Sequence, residues 1–355
     1  MREESFNFLQ ELLAAPSPSG YEQPAQRVFR SYIAPFATVT QDVMGNVFGN
    51  IRGEGQNLPK VMLVGHSDEI GFQIRYIDDK GFIYFGAIGG VDAHLTPGQR
   101  VLVHGRNGSI PGVIGKKPIH LMEAKDRETV VKLESQYIDI GATDKKEAEE
   151  LVRVGDPVTF AVSLSRLHGD RVTSRGFDDK AGSFVVAEVL RQIAAKGKKP
   201  AIDLYGVSSV QEEVGLRGGT TSCYTVNPDI GICVEVDFST DQPDVERKHN
   251  GDVAIGKGPI LPRGANINPA LFDLLADTAA GEEVPVQFTG IPRATGTDAN
   301  VMQITRAGMA TGLVSVPLRY MHTPNELLSL DDLENCAKLI AAFCARLKKD
   351  QDFTP

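Results

Sequence analysis

Five short polar clusters in this chain sit just past apolar runs or at the start of a helical pattern, and their side chains are of the kinds that hold divalent cations. The first, His66-Ser67-Asp68-Glu69, follows Lys60-Val61-Met62-Leu63-Val64-Gly65. Imidazole is a common metal ligand, and a carboxylate two residues along an extended backbone lies on the same side and can orient the ring. The second, Arg175 to Gly182, contains Asp178 and Asp179. Paired aspartates there suit helix capping, and a carboxylate's two oxygens could also bridge two ions. In the third, Glu212 and Glu213 are adjacent after Val207–Val210. Neighbouring carboxylates repel unless cations or protons come between them, so one can ligate while the other carries a proton. In the fourth, Glu235 and Asp237 share a strand face, and either could be a ligand. The fifth, Arg319 to Glu326, supplies His322, and upstream of it Gly296-Thr297-Asp298-Ala299 reads as a loop suited to touching substrate.

Together these clusters offer two imidazoles and several carboxylates with no thiolate, a donor set that suits zinc, cobalt or manganese. A single catalytic zinc needs three protein ligands, whereas five candidates with one able to bridge fit a pair of ions roughly 3.5–4 Å apart.

The elements that must position them alternate. Helical patterns cover 3–14 and about 22–34, and Pro16-Ser17-Pro18-Ser19-Gly20 separates them. The run 60–65 reads as a strand covered on both faces. After Gly71 the pattern changes to short strands and turns, including a hairpin signal at Asn107-Gly108. Helix and strand alternate again from Arg175, and a helix from Leu330 to Leu347 ends the fold. The reading is a discontinuous α/β domain, 1–71 plus 165–355, carrying a β-rich insert at 72–164. Ligands of open α/β sheets bind past the carboxyl ends of strands, where these clusters fall.

Composition narrows the class of function. The chain has 355 residues, 41% hydrophobic and 23% charged, which is ordinary for a folded protein. A formal net charge of −9 argues against nucleic acid or an anionic membrane as partner. No apolar stretch is long enough for a signal peptide or a membrane span. Cys223, Cys233, Cys336 and Cys344 form no C-x-x-C pair and read as buried, reduced thiols of a cytoplasmic protein.

The sequence resembles the M42 metallopeptidases over nearly its whole length, most specifically at His66–Gly71, Phe177–Gly182, Gln211–Gly215 and Arg319–Pro324. The resemblance implies an aminopeptidase acting on peptide substrates with two divalent metal ions, zinc or cobalt. It implies His66 and Glu235 on one metal, Glu213 and His322 on the other, Asp178 bridging, Glu212 as general base and acid, and Asp68 orienting His66. It further implies a phosphorylase/hydrolase-like catalytic domain, a small inserted β-barrel-like dimerisation domain, and a homo-oligomer as large as a tetrahedral dodecamer. The family's usual Asp-Val-Thr is Glu235-Val236-Asp237 here. Counting from Thr240-Asp241 assigns the ligand position to Glu235, with Asp237 as the other candidate.

Two rival readings have different requirements. A glycoside hydrolase needs two carboxylates flanking a sugar bond. Glu212 and Glu213 are adjacent instead, and the chain has no Trp to stack a sugar ring. A non-catalytic metal- or peptide-binding scaffold would use the β insert. No G-x-S-x-G elbow or G-x-x-x-x-G-K-[ST] phosphate loop is present.

Overall fold

The computed structural model describes all 355 residues. Its main sheet has eight strands, in the order Thr38–Gln41, Val47–Ile51, Asp203–Ser209, Lys60–His66, Ile230–Phe238, Ala310–Leu318, Ile260–Gly264 and Gln287–Ile291. The four inner strands from Asp203–Ser209 to Ala310–Leu318 run parallel, and antiparallel pairings flank them on both sides. All four therefore end at one edge, which carries the polar clusters.

Helices cover both faces, which is why the inner strands read as unbroken apolar runs. Alternation along Lys60–His66 divides its side chains between two cores. Val61 and Leu63 enter the larger one with Phe29, Phe177, Phe184 and Phe343. Met62 and Val64 enter a smaller one with Cys223, Val226 and Met302. The helices Glu3–Ala14 and Leu330–Arg346 stand where the periodicity predicts them. Ser329 caps the last helix by accepting from the backbone of Asp331. All four cysteines are buried and free. No helix is long and apolar enough to cross a membrane.

Between Lys60–His66 and the return to the main sheet, six strands from Gly71 to Phe160 close into an antiparallel barrel. Phe72, Phe85, Val101, Val103, Ile138 and Phe160 are among the residues of its separate core. The Asn107-Gly108 signal does join two of these strands, Arg100–Gly105 and Gly108–Gly115. A small antiparallel sheet of Ser165–Arg166, Arg171–Ser174 and Glu326–Ser329 follows. Its register pairs Ser174 with Glu326, which brings the Asp178 turn beside the segment after His322.

Candidate metal centre

His66 is the last residue of its strand, on the side of Met62 and Val64. The helix Phe177–Ala195 crosses close behind it because two glycines meet there. A Cβ on Gly65 would lie 2.4 Å from the carbonyl carbon of Gly182, and one on Gly182 would lie 2.2 Å from the oxygen of Val234. This approach lays the start of the helix over the strand end. The backbone of Asp178 and Asp179 is not helical there. The two aspartates then divide their tasks. Asp179 accepts from the backbone N–H of Gly182 at 2.9 Å and of His66 at 3.1 Å, so it caps the helix and fastens it to the strand. Asp178 turns into the cavity.

Asp178 stands between the two histidines. Its Oδ1 lies 3.3 Å from Nε2 of His66, and its Oδ2 lies 3.3 Å from Nε2 of His322. Each histidine has a further carboxylate beside it. Glu235 Oε1 is 3.6 Å from His66 Nε2, and Glu213 Oε1 is 3.4 Å from His322 Nε2. Glu212 Oε2 also lies 3.6 Å from His66 Nε2. Of the two candidates on the Ile230–Phe238 strand, Glu235 reaches this group, whereas Asp237 lines the cavity and accepts from its neighbour Phe238 N–H at 2.7 Å. Asp298 is buried, with Oδ2 accepting from Ser209, and it is Thr297 and Gly296 that line the cavity.

Asp68 lies beneath the group and reaches further than His66. Its Oδ1 accepts from Glu212 N–H at 3.0 Å, and its Oδ2 accepts from Glu213 N–H at 3.1 Å and from the Ser19 hydroxyl at 2.7 Å. His66 Nδ1 lies 3.0 Å from the Asp68 carbonyl and 3.4 Å from its carboxylate. One residue thus holds a histidine and the backbone of both adjacent glutamates.

Three other positioning groups had no role assigned from sequence. Glu326 is buried and accepts from the backbone N–H of Asp178 at 3.1 Å and of His322 at 3.0 Å. Gly90, at the exit of the barrel strand Ile83–Ile88, has its carbonyl 3.0 Å from His322 Nδ1, and a Cβ there would come within 2.9 Å of that nitrogen. Glu69 is buried between Arg175 and Lys180, with Lys180 Nζ at 3.0 Å. A carboxylate opening the short, wholly buried strand Glu326–Ser329, just before Leu327 and Leu328, is the signal that could have found Glu326.

So many acids in one buried place alter each other's protonation. Burial, then the nearby charges of Asp298 and Asp178, push Glu212 up to about 7. Burial and Asp178 push Glu213 up to about 8. Burial, then Asp179, drive Glu235 well above the carboxylate range. Burial opposes ionisation of Asp178 too, but hydrogen bonds from both imidazoles outweigh it and hold the group low. The Asp178 hydrogen bond draws His322 up to about 9. Without cations the cluster must gather protons, and dications would take their place.

The residues fit a pair of such ions. His66, Asp178 and Glu213 present ligand atoms all within 4.8 Å of one another, as do His66, Asp179 and Glu235. The Asp179 oxygens are already engaged by backbone N–H groups, whereas the two Asp178 oxygens face the two histidines. Glu213 Oε1 is buried without a hydrogen-bond partner, a costly state that a cation relieves.

Comparison with known proteins identifies the family. Residues 45–339 match the model of the M42 glutamyl aminopeptidase family. A lysyl aminopeptidase of Pyrococcus furiosus is 37% identical over 354 residues, covering 99% of both chains. The crystal structure of a TET aminopeptidase from the marine sediment archaeon Thaumarchaeota archaeon SCGC AB-539-E09 is 33% identical and superimposes with a TM-score of 0.93, over 98% of this chain and 97% of that one. The TET1 peptidase of Pyrococcus horikoshii, which can assemble into a tetrahedron or a large octahedral shell, is 31% identical with a TM-score of 0.85, over 97% and 100% of the two chains. The chain belongs to the M42 family and is an aminopeptidase-type hydrolase of peptide bonds.

Proposed function

We propose that the chain removes N-terminal residues from peptides with a pair of divalent cations, zinc or cobalt, and that Glu212 is its general base and acid. The observation that carries this is the position of Asp178, one oxygen toward each histidine, with a separate carboxylate beside each. His66 and Glu235 would hold one ion, His322 and Glu213 the other, and Asp178 both. When bound, such ions acidify water and polarise a carbonyl.

The chain's own groups do the rest. Glu212 is tethered through its N–H to Asp68, which sets its carboxylate beside His66. Elevation toward 7 suits a group that must take a proton from water and give it back near neutral pH. Its carboxylate accepts the proton as water attacks the peptide carbonyl, then delivers it to the nitrogen of the departing amine. The cavity beside it, about 450 Å³, is lined by Leu216, Val236, Ile291, Leu313 and Met321, which exclude water around the first side chain of a peptide.

A homo-oligomer of the kind formed by the horikoshii TET1 peptidase is part of the proposal, since this chain spans 97% of its own length in that match. Four buried free thiols agree with a reducing, cytoplasmic setting. The test is hydrolysis of aminoacyl p-nitroanilides by protein stripped of metal and reloaded with zinc or cobalt, with elemental analysis in parallel. Two ions per chain and metal-dependent release of p-nitroaniline are expected, and one ion or none with full activity overturns the reading.

A further inference from the structure

We propose that Asp237 selects peptides whose first residue carries a cationic side chain, lysine or arginine, a substrate class that deepens the aminopeptidase reading and rests on it. Asp237 belongs to the same strand as Glu235 and, two residues further, to the same strand face. The strand rise carries it about 6–7 Å outward from Glu235, which matches the reach of a side chain with a three- or four-carbon stem.

Carboxylates dominate the walls around that position. The cavity holding His66 and Glu235 is lined by five carboxylates (Asp178, Glu212, Glu213, Glu235 and Asp237) and by no lysine or arginine. Four of those carboxylates stand within 3.6 Å of a histidine Nε2, and Asp237 is the one that does not. It lies at the junction with a second cavity, which it shares with Phe238 and Ile291, and there Asp244 and Glu246 add two carboxylates, the latter paired with Lys248 at 3.1 Å. His249 of that lining lies 3.2 Å from Glu246.

The rest of the wall suits the stem of such a side chain. Phe238 and Ile291 flank Asp237 and are shared by both cavities. Lysine and arginine bury their methylenes along apolar surface while the charged end seeks an anion. Asp237 supplies that anion, with one oxygen fixed by the Phe238 N–H at 2.7 Å. An acidic first residue would meet the Asp237 carboxylate, with no lysine or arginine in the cavity wall to pair with it.

The experiment measures kcat/KM of the metal-loaded protein for lysyl, norleucyl, leucyl and glutamyl p-nitroanilides. Norleucine has the stem of lysine without its charge. Lysyl is expected to exceed norleucyl by about tenfold or more, the scale of a hydrogen bond to a charged group, with glutamyl the poorest of the four. In Asp237→Asn the lysyl-to-norleucyl ratio should fall to about one, and in Asp237→Lys the glutamyl substrate should overtake the lysyl. Each ratio is taken on a single enzyme preparation, so a general loss of activity or stability does not move it. Turnover with lysyl no better than norleucyl, or a preference that survives Asp237→Asn, overturns the assignment of Asp237 and leaves the aminopeptidase reading in place. Turnover of none of the four overturns both.

Discussion

The carboxylate of Glu326 accepts the backbone N–H of Asp178 at 3.1 Å, joining segments 148 residues apart. Its other oxygen accepts the N–H of His322. Glu326 thus sets the relative position of the central carboxylate and one of its two histidines without entering the cavity. In Glu326→Gln one acceptor oxygen becomes a donor that faces a backbone N–H. The variant should lose about 10–100-fold in metal affinity, measured by competition with a chromophoric chelator. Affinity within a factor of two of the parent would show that the two loops hold their positions unaided.

Replacing Glu212 tests the proton carrier apart from the ligands. Glu212→Gln keeps the shape and the N–H held by Asp68. The protein should still bind two ions by elemental analysis while kcat falls by about 10²–10⁴. A metal-replete variant with most of its turnover would move the base to another group.

The two histidines should be separable by stoichiometry. Each has its own carboxylate, Glu235 or Glu213, and both meet Asp178. His322→Ala and His66→Ala should therefore each retain one tightly held ion, and Asp178→Ala should lose both. Equilibrium dialysis followed by metal analysis reads this directly. Two ions in Asp178→Ala would contradict a shared carboxylate.

Below the site, Glu69 links stability to pH. Burial opposes its ionisation, but Arg175 and Lys180 outweigh burial and bring it down to about 2 from an ordinary 4.5. For Lys180 the balance goes the other way, and burial lowers it to about 8 despite Glu69. The carboxylate is therefore the better-stabilised member. Since its folded value is the lower one, the unfolded chain binds more protons between these limits, and stability rises with pH there. The contribution is complete above about pH 4.5 and fades as pH falls toward 2. Glu69→Gln leaves Arg175 and Lys180 buried without their anion, so it should cost about 3–5 kcal/mol in urea unfolding at neutral pH. With chelator present, the deficit should shrink as pH approaches 2. A deficit independent of pH would assign the loss to packing.

The sequence made the inner strands and their polar ends readable for a simple reason. A strand covered on both faces is an unbroken apolar run, so Val61–Val64 and the His66 cluster after it stand out. The outer strands Ile260–Gly264 and Gln287–Ile291 were not read, because partial exposure of the latter leaves no run to notice. Asp178 and Asp179 illustrate the limit at the site. The residue pattern alone leaves capping and bridging open to either, and the family resemblance is what assigns bridging to Asp178. In the structure the close contact of Gly65 with Gly182 separates the two, giving one aspartate backbone donors and the other the cavity. Glu326 and Gly90 act on His322 through backbone atoms across long sequence separations, and such contacts leave no local pattern.

The carbonyl of Gly90 meets His322 from just past the barrel strand Ile83–Ile88. A catalytic module cut out without its insert would therefore retain every proposed ligand yet lose the restraint that aims one of them. Chimeras that exchange barrels between relatives should accordingly carry a glycine at the Gly90 position, so that the incoming barrel still offers its carbonyl to the histidine.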